Sequence, residues 1–172
     1  MLINIFCAKC IGIQAVPVTV EVDINSGIGI HLVGLADVAV KESLLRTMTA
    51  LQSIGFRIPG KKIVINLAPA DMRKNGSGYD LPIALGIIAA SGQCELPALD
   101  KYVIMGELGL DGSVHPVRGV LPAVLFAREQ GFGRCLVPME NVREGELVEG
   151  IACVGTKSLM EAVELLNHPE QM

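Results

Sequence analysis

Tryptophan is absent from the 172 residues, and aromatic volume is limited to two Tyr and four Phe. With 51% of the chain hydrophobic, the interior must be aliphatic, built from Val, Ile, Leu and Ala. Charge is scarce as well, at 19% of residues, which excludes the disordered class. Long apolar runs are missing. The longest uncharged stretch, Leu81–Cys94, has 14 residues, whereas a membrane span needs about 20. It predicts a buried helix, with no membrane partner. The N-terminal MLINIFCAKC lacks a basic segment followed by an apolar run and a cleavage site, so a cytoplasmic location is expected.

Five cysteines without framework spacing fit a reducing compartment. Cys7-Ala-Lys-Cys10 matches C-x-x-C. On a strand over residues 2–11, however, an offset of three puts the two thiols on opposite faces. No second Cys or His pair completes a zinc site, so no metal is expected.

Net charge is −4, which gives no overall attraction to nucleic acid. The distribution is uneven. Residues 57–74 carry Arg57, Lys61, Lys62, Arg73 and Lys74 against Asp71 alone, whereas residues 139–172 hold seven carboxylates and two cations. The basic cluster is either a solvated surface or a patch contacting DNA phosphates. Phe56 is the only aromatic beside it, so binding would follow the backbone rather than stack on bases.

Val16–Ile24 alternates apolar and polar residues and predicts a half-buried strand, with Ile28–Val33 returning as its antiparallel partner. Asp37 caps a helix to about Ile54, with Val40, Leu44, Met48 and Leu51 inward and Arg46 outward. Lys62–Leu67 reads as a strand, and Leu81–Ala90 as a helix apolar on all sides, with Asp80 as its N-cap. Further strands fall at Tyr102–Glu107, in a Leu108–Val117 hairpin, at Cys135–Val137 and at Ile151–Val154. Helices fall at Val120–Glu129, near Asn141–Val148 and at Ser158–Leu166. The expected architecture is α/β with a mixed sheet packed by helices: one domain over residues 1–166, in two subregions meeting near 98, with 167–172 a linker or cut end.

Gly55–Lys62, GFRIPGKK, is one residue from a phosphate-binding loop. Such a loop needs a strand before it and a helix after it, with Ser or Thr where Lys62 stands. Here the order is reversed, so the segment reads as a turn and the domain is expected to hold no ATP.

Pro69–Asp80, PADMRKNGSGYD, is the most polar loop and feeds the buried helix. Either its glycines only shape the turn, or the loop is a vestigial oxyanion site. The segments Asn66–Leu85 and Gly106–Ala123 resemble the proteolytic domain of Lon-type proteases, the fold shared with the second domain of ribosomal protein S5. In that family a loop like K-D-G-P-S-A-G carries a nucleophilic Ser, and a segment like P-I-G-G-L-K-E-K supplies its Lys. On this chain, Lys74–Asp80 puts Gly78 at the nucleophile position, with Ser77 one residue early. Pro116–Ala123 puts Leu121 at the Lys position. A hydroxyl needs a base within reach, and Leu offers none. His115 reads as an exposed hairpin residue with no evident carboxylate partner.

Gly12-Ile13, Val16–Val22, Val33-Gly34-Leu35, Ala89–Gly92 and the two segments above together resemble the N-terminal domain of the ComM/YifB family of magnesium chelatase-like AAA+ ATPases. The resemblance implies a non-catalytic domain that helps a hexameric motor assemble and engage DNA, in branch migration or helicase-like processing during natural transformation. Its partners would be its own AAA+ module and sister subunits. ATP and Mg²⁺ would belong to that downstream module, which these residues do not contain. The alternatives are a peptidase using Ser77 in a rearranged site and a magnesium chelatase-type motor subunit.

Overall fold

A computed structural model describes residues 1–168. Its strands, in chain order, are β1 (Leu2–Ile11), β2 (Gln14–Asn25), β3 (Ile30–Val33), β4 (Lys62–Ala68), β5 (Tyr102–Ile104), β6 (Glu107–Leu108), β7 (Val114–His115), β8 (Arg134–Pro138) and β9 (Ala152–Thr156). Seven of them form one sheet in the order β3-β4-β2-β1-β5-β8-β9, and β6 and β7 form a separate ribbon. β2 alone is antiparallel to its neighbours; the other six strands of the sheet share one direction. Their carboxyl ends therefore lie along one edge of the molecule. β1 lies between β2 and β5 and so joins the early strands of the sheet to the later ones.

The pairing corrects one expectation. The strand after Asn25 does not fold back on β2 but runs parallel to β4 at the sheet edge. Ile63, Ile65 and Leu67 of β4 are fully buried, so β4 takes the inner place beside β2. β3 leaves Ile30, His31 and Val33 exposed, which suits an edge.

The expected strand over Tyr102–Glu107 also breaks after Ile104. There, Met105 N donates to Leu136 O and Gly106 N to Gly78 O. At the end of the chain, the helix continues through Asn167, whose amide donates to Glu95 O at 2.6 Å. Asn167 is thus part of the fold rather than a linker, and residues 169–172 of that segment lie outside the described residues.

The described residues include five α-helices: α1 (Val38–Ser53), which packs on α2, then α2 (Asp80–Ala90), α3 (Val120–Glu129), the short α4 (Val142–Gly145) and α5 (Leu159–Asn167). α2 is buried at every residue, as its uncharged sequence predicts. It lies so close to the sheet that a Cβ on Gly86 would stand 2.6 Å from Val22 Cγ2 and 2.7 Å from Ile5 Cδ1. α3 lies on the other face. Cys10 Sγ meets Gly119 O at its start, and Phe6 meets Phe132 just past its end. Phe6 and Cys10 alternate with Ile5 along β1, which places α2 and α3 on opposite faces.

Asp37 caps α1 by accepting from Val40 N at 2.9 Å. The inward face of α1 differs from the expected stripe. Ser43 and Thr47 are buried on it, and Arg46 turns inward rather than to solvent. The reason is Asp80. Instead of capping α2, Asp80 sits in its first turn with no exposure, and Tyr79 holds the cap position without a side-chain bond. Its carboxylate accepts from Ser43 Oγ, from Arg46 Nε at 2.8 Å and Nη2 at 3.1 Å, and from Leu108 N at 2.9 Å. Burial pushes this carboxyl above its usual range, while the hydrogen bonds from Arg46, Ser43 and Leu108 N pull it back. Removing one partner of a buried pair strands the other charge. Asp80→Ala should therefore cost about 3–5 kcal/mol in urea unfolding. A loss below about 1 kcal/mol would contradict the knot's structural role.

Candidate functional site

At the carboxyl ends of β1 and β5, the loop before α2 and the loop before α3 part to opposite faces of the sheet. Open α/β sheets place their ligand sites at such a switch point. A cleft of about 810 Å³ lies there, with Lys9, Cys10, Asn75–Tyr79, Met105 and Pro116–Arg118 among its lining residues.

Each wall is fixed by polar contacts. Leu81 N donates to Gly106 O, and Gly106 N donates to Gly78 O, so the α2 loop is pinned to the end of β5. Asn141 bonds both backbone groups of Val117, accepting from its N at 3.0 Å and donating to its O at 3.1 Å. Glu144 Oε1 accepts from Leu121 N at 3.0 Å and so caps α3 from another element. The acidic stretch thereby serves the site by holding the start of α3. Gly119 has φ +81°, and a Cβ there would lie 2.4 Å from Cys10 Sγ. Only glycine allows that approach.

The predicted residues fall as follows. Ser77 and Gly78 line the cleft. Leu121 is half-buried and packs against the core, away from the cleft lining. The basic cluster is split. Arg57, Lys61 and Lys62 are exposed at the start of β4, and Arg73 is exposed beyond its far end, about 20 Å along the strand. Lys74 is fully buried and donates Nζ to Pro69 O, so it is no surface cation. Burial lowers its ammonium pKa; Asp71 raises it in turn and Lys9 lowers it further. The structure therefore does not gather the five cations into one patch. Residues 54–61 connect α1 to β4, with the Arg57 backbone pinned by Gln93 through two bonds of 2.8 Å.

Two groups escaped sequence reasoning. Lys9 enters the Ser77 cleft from β1, and its Nζ donates to Arg73 O. Nothing local links residue 9 to residue 77; only the pairing of β1 with β5 does. His115 has a carboxylate partner after all: its Nδ1 lies 3.7 Å from Glu107 Oε2, and its Nε2 lies 3.0 Å from Ser113 Oγ. Glu107 and His115 are directly opposed in the ribbon, a register that the Asp111-Gly112 turn signals in the sequence. Asp111 accepts from Ser113 N and Oγ, and these bonds hold its carboxyl below the usual range. The group closes an exposed turn and stands outside the cleft, so His115 gives Ser77 no base.

All five cysteines are free. Burial pushes the thiols of Cys7 and Cys135 up to about 12, and that of Cys153 to about 11. Among the described residues, no group of three His, Cys, Asp or Glu side chains is placed to hold a metal ion, and no helix is long and apolar enough to cross a membrane.

The mixed sheet, the helices on both faces and the cleft between two loops define a Lon-protease-like α/β domain. The family described as Subunit ChlI of Mg-chelatase matches residues 20–141, and the chain belongs to that family. It is 37% identical over 169 residues to Competence protein ComM of Haemophilus influenzae, covering 98% of this chain and 33% of the relative. It is 41% identical over 145 residues to uncharacterized protein YifB of Escherichia coli, covering 84% of this chain and 28% of the relative. Lon protease 2 of Bacillus subtilis is 27% identical over 134 residues, covering 76% of this chain and 24% of the protease. The chain thus spans a third or less of each of these curated relatives.

Thiol chemistry offers a check on the site's surroundings. A thiol with a pKa near 12 is almost wholly protonated at pH 8 and reacts slowly. With a thiol reagent at pH 8 the half-buried Cys94 should react first, and Cys7 and Cys135 only on unfolding. Early modification of Cys7, read by mass spectrometry, would contradict the packing of β1.

Proposed function

We propose that this is a non-catalytic Lon-type domain of a larger ATPase, serving its assembly and its engagement with DNA in the cytoplasm. The observation that carries this reading is Leu121. An aliphatic side chain half-buried against the core stands where the resemblance requires the activating Lys, and Gly78 stands where it requires Ser. Neither position has a titratable group, so no general base is available there.

The assembly role is supported by exposed apolar side chains on the edge strand β3 and on α1. Ile30 is 40% and Val33 47% exposed on β3, and Val38 70% and Leu45 75% on α1, apolar surface that a neighbouring subunit would cover. The DNA role is supported by Arg57, Lys61 and Lys62, all exposed in or just before the start of β4, with Arg57 and Lys61 lining one cleft, and by the name of the competence relative. Arg73 lies too far along the strand to join them, and Lys74 is buried. ATP and Mg²⁺ would be bound by a downstream module of the parent protein.

A second reading is favoured by one observation: Lys9 shares the cleft with Ser77. A Ser77–Lys9 pair would be a rearranged dyad for peptide hydrolysis. Against it, Lys9 Nζ is hydrogen-bonded to the Arg73 carbonyl, and no bond links it to Ser77. The family's description also keeps a magnesium chelatase-type motor role open for the parent.

Two experiments separate these readings. A fluorophosphonate should leave the protein unlabelled, and casein should remain intact. Labelling abolished by both Ser77→Ala and Lys9→Met would establish the peptidase. For the DNA role, fluorescence anisotropy on the full-length oligomer at low salt is the test. Lys61→Glu with Lys62→Glu should weaken binding without changing oligomer mass. The same pair should flatten the log-salt slope by roughly 0.9 for each phosphate that is no longer neutralised. Unaltered binding would assign DNA recognition to another surface.

A further inference from the structure

The cleft between the α2 and α3 loops holds hydrogen-bond donors that the fold leaves unused. The amide N–H groups of Asn75, Gly76, Ser77 and Gly78 make no hydrogen bond among the described residues, although the flanking Lys74 N and Asp80 N are bonded to Leu35 O and Ser77 O. The loop is anchored through its carbonyls, with Gly78 O held by Gly106 N. Asn75 and Gly76 are exposed and Ser77 and Gly78 half-buried, so these donors face water and are open to a ligand that displaces it.

Charge points the same way. Lys9 and Arg118 line the cleft, and no Asp or Glu does. Neither cation makes an ion pair among the described residues. The bond from Lys9 to Arg73 O uses one of three ammonium donors. Glu144, which helps raise the Cys10 thiol pKa, opposes this charge from outside the cleft lining but makes no ion pair with either cation among the described residues. Two uncompensated cations facing a concave site raise its positive potential, and successive amides form an anion-binding concavity.

The donors sit on separate walls: the amides on the α2 loop, Arg118 before α3, and Lys9 on β1. A planar carboxylate presents two oxygens in one plane. A tetrahedral group presents oxygens to three walls at once. We propose that this cleft binds a phosphate-type oxyanion, held by the Asn75–Gly78 amides, Lys9 and Arg118. The inference goes beyond the role proposed above and stands without it, since it concerns neither the Arg57–Lys62 surface nor the parent's motor.

The test is a titration of the ¹⁵N-labelled chain with inorganic phosphate at constant ionic strength, followed by amide chemical shifts. Saturable shifts confined to residues 75–78 and 118 are expected. Arg118→Gln, at a position on the cleft rim that leaves the fold intact, should weaken binding roughly tenfold, and Arg118→Lys should restore most of it. A short deoxyoligonucleotide forms the second arm. Tighter saturation of the same amides identifies a polymer backbone as the source, and equal affinity per phosphate identifies an isolated phosphate group. Non-saturating shifts, unchanged affinity in Arg118→Gln, or tighter saturation by acetate or a peptide carboxylate would each overturn the proposal.

Discussion

Asp80 is the interaction on which the site depends. It lies at the start of a helix buried at every residue, where an unpaired carboxylate is not tolerated. Its partners come from α1 and from β6, so three elements separated in sequence are tied at one carboxylate. The loop carrying Ser77 and Gly78 ends two residues before it. Fixing Asp80 fixes where that loop leaves the sheet, and hence one wall of the cleft. Asn141 and Glu144 fix the opposite wall through Val117 and Leu121.

Sheet direction does the rest. Six strands deliver their carboxyl ends to one edge, and the helices flanking β5 in sequence take opposite faces. A crevice at that point follows from topology and needs no catalytic residues to maintain it. The fold and the cleft therefore persist with Gly78 and Leu121 at the positions where a protease would carry its dyad. The cleft keeps amide donors and two cations, which on the proposed reading hold a group rather than cleave one.

Much of this was legible in the sequence. Alternation over Val16–Ile24 gives β2 and its inward face, the absence of charge over Leu81–Cys94 gives the buried helix, and Asp37 gives the start of α1. Periodicity reports which residues turn inward but not what they meet. For that reason the sequence suggests a β2–β3 hairpin where β4 intervenes, and assigns Asp80 a capping role where a buried pair with Arg46 exists. Lys74 reads as surface charge because nothing local shows that its ammonium turns to the Pro69 carbonyl. Lys9 could not be placed near Ser77, since 68 residues and a strand crossing separate them. The Lon resemblance pointed to Gly78 and Leu121, while the polar partners that shape the cleft required the fold.

The central claim is that a rigid platform presents free donors in place of a dyad. Native-state amide hydrogen exchange measures both halves of it. Amides within α2 should exchange only with global unfolding, while those of Asn75, Gly76, Ser77 and Gly78, a few residues away, should exchange near the rate of an unstructured peptide. Strong protection at residues 75–78 would show that their donors are spent inside the fold. Fast exchange throughout α2 would show that the platform is not rigid. Either result would contradict the account.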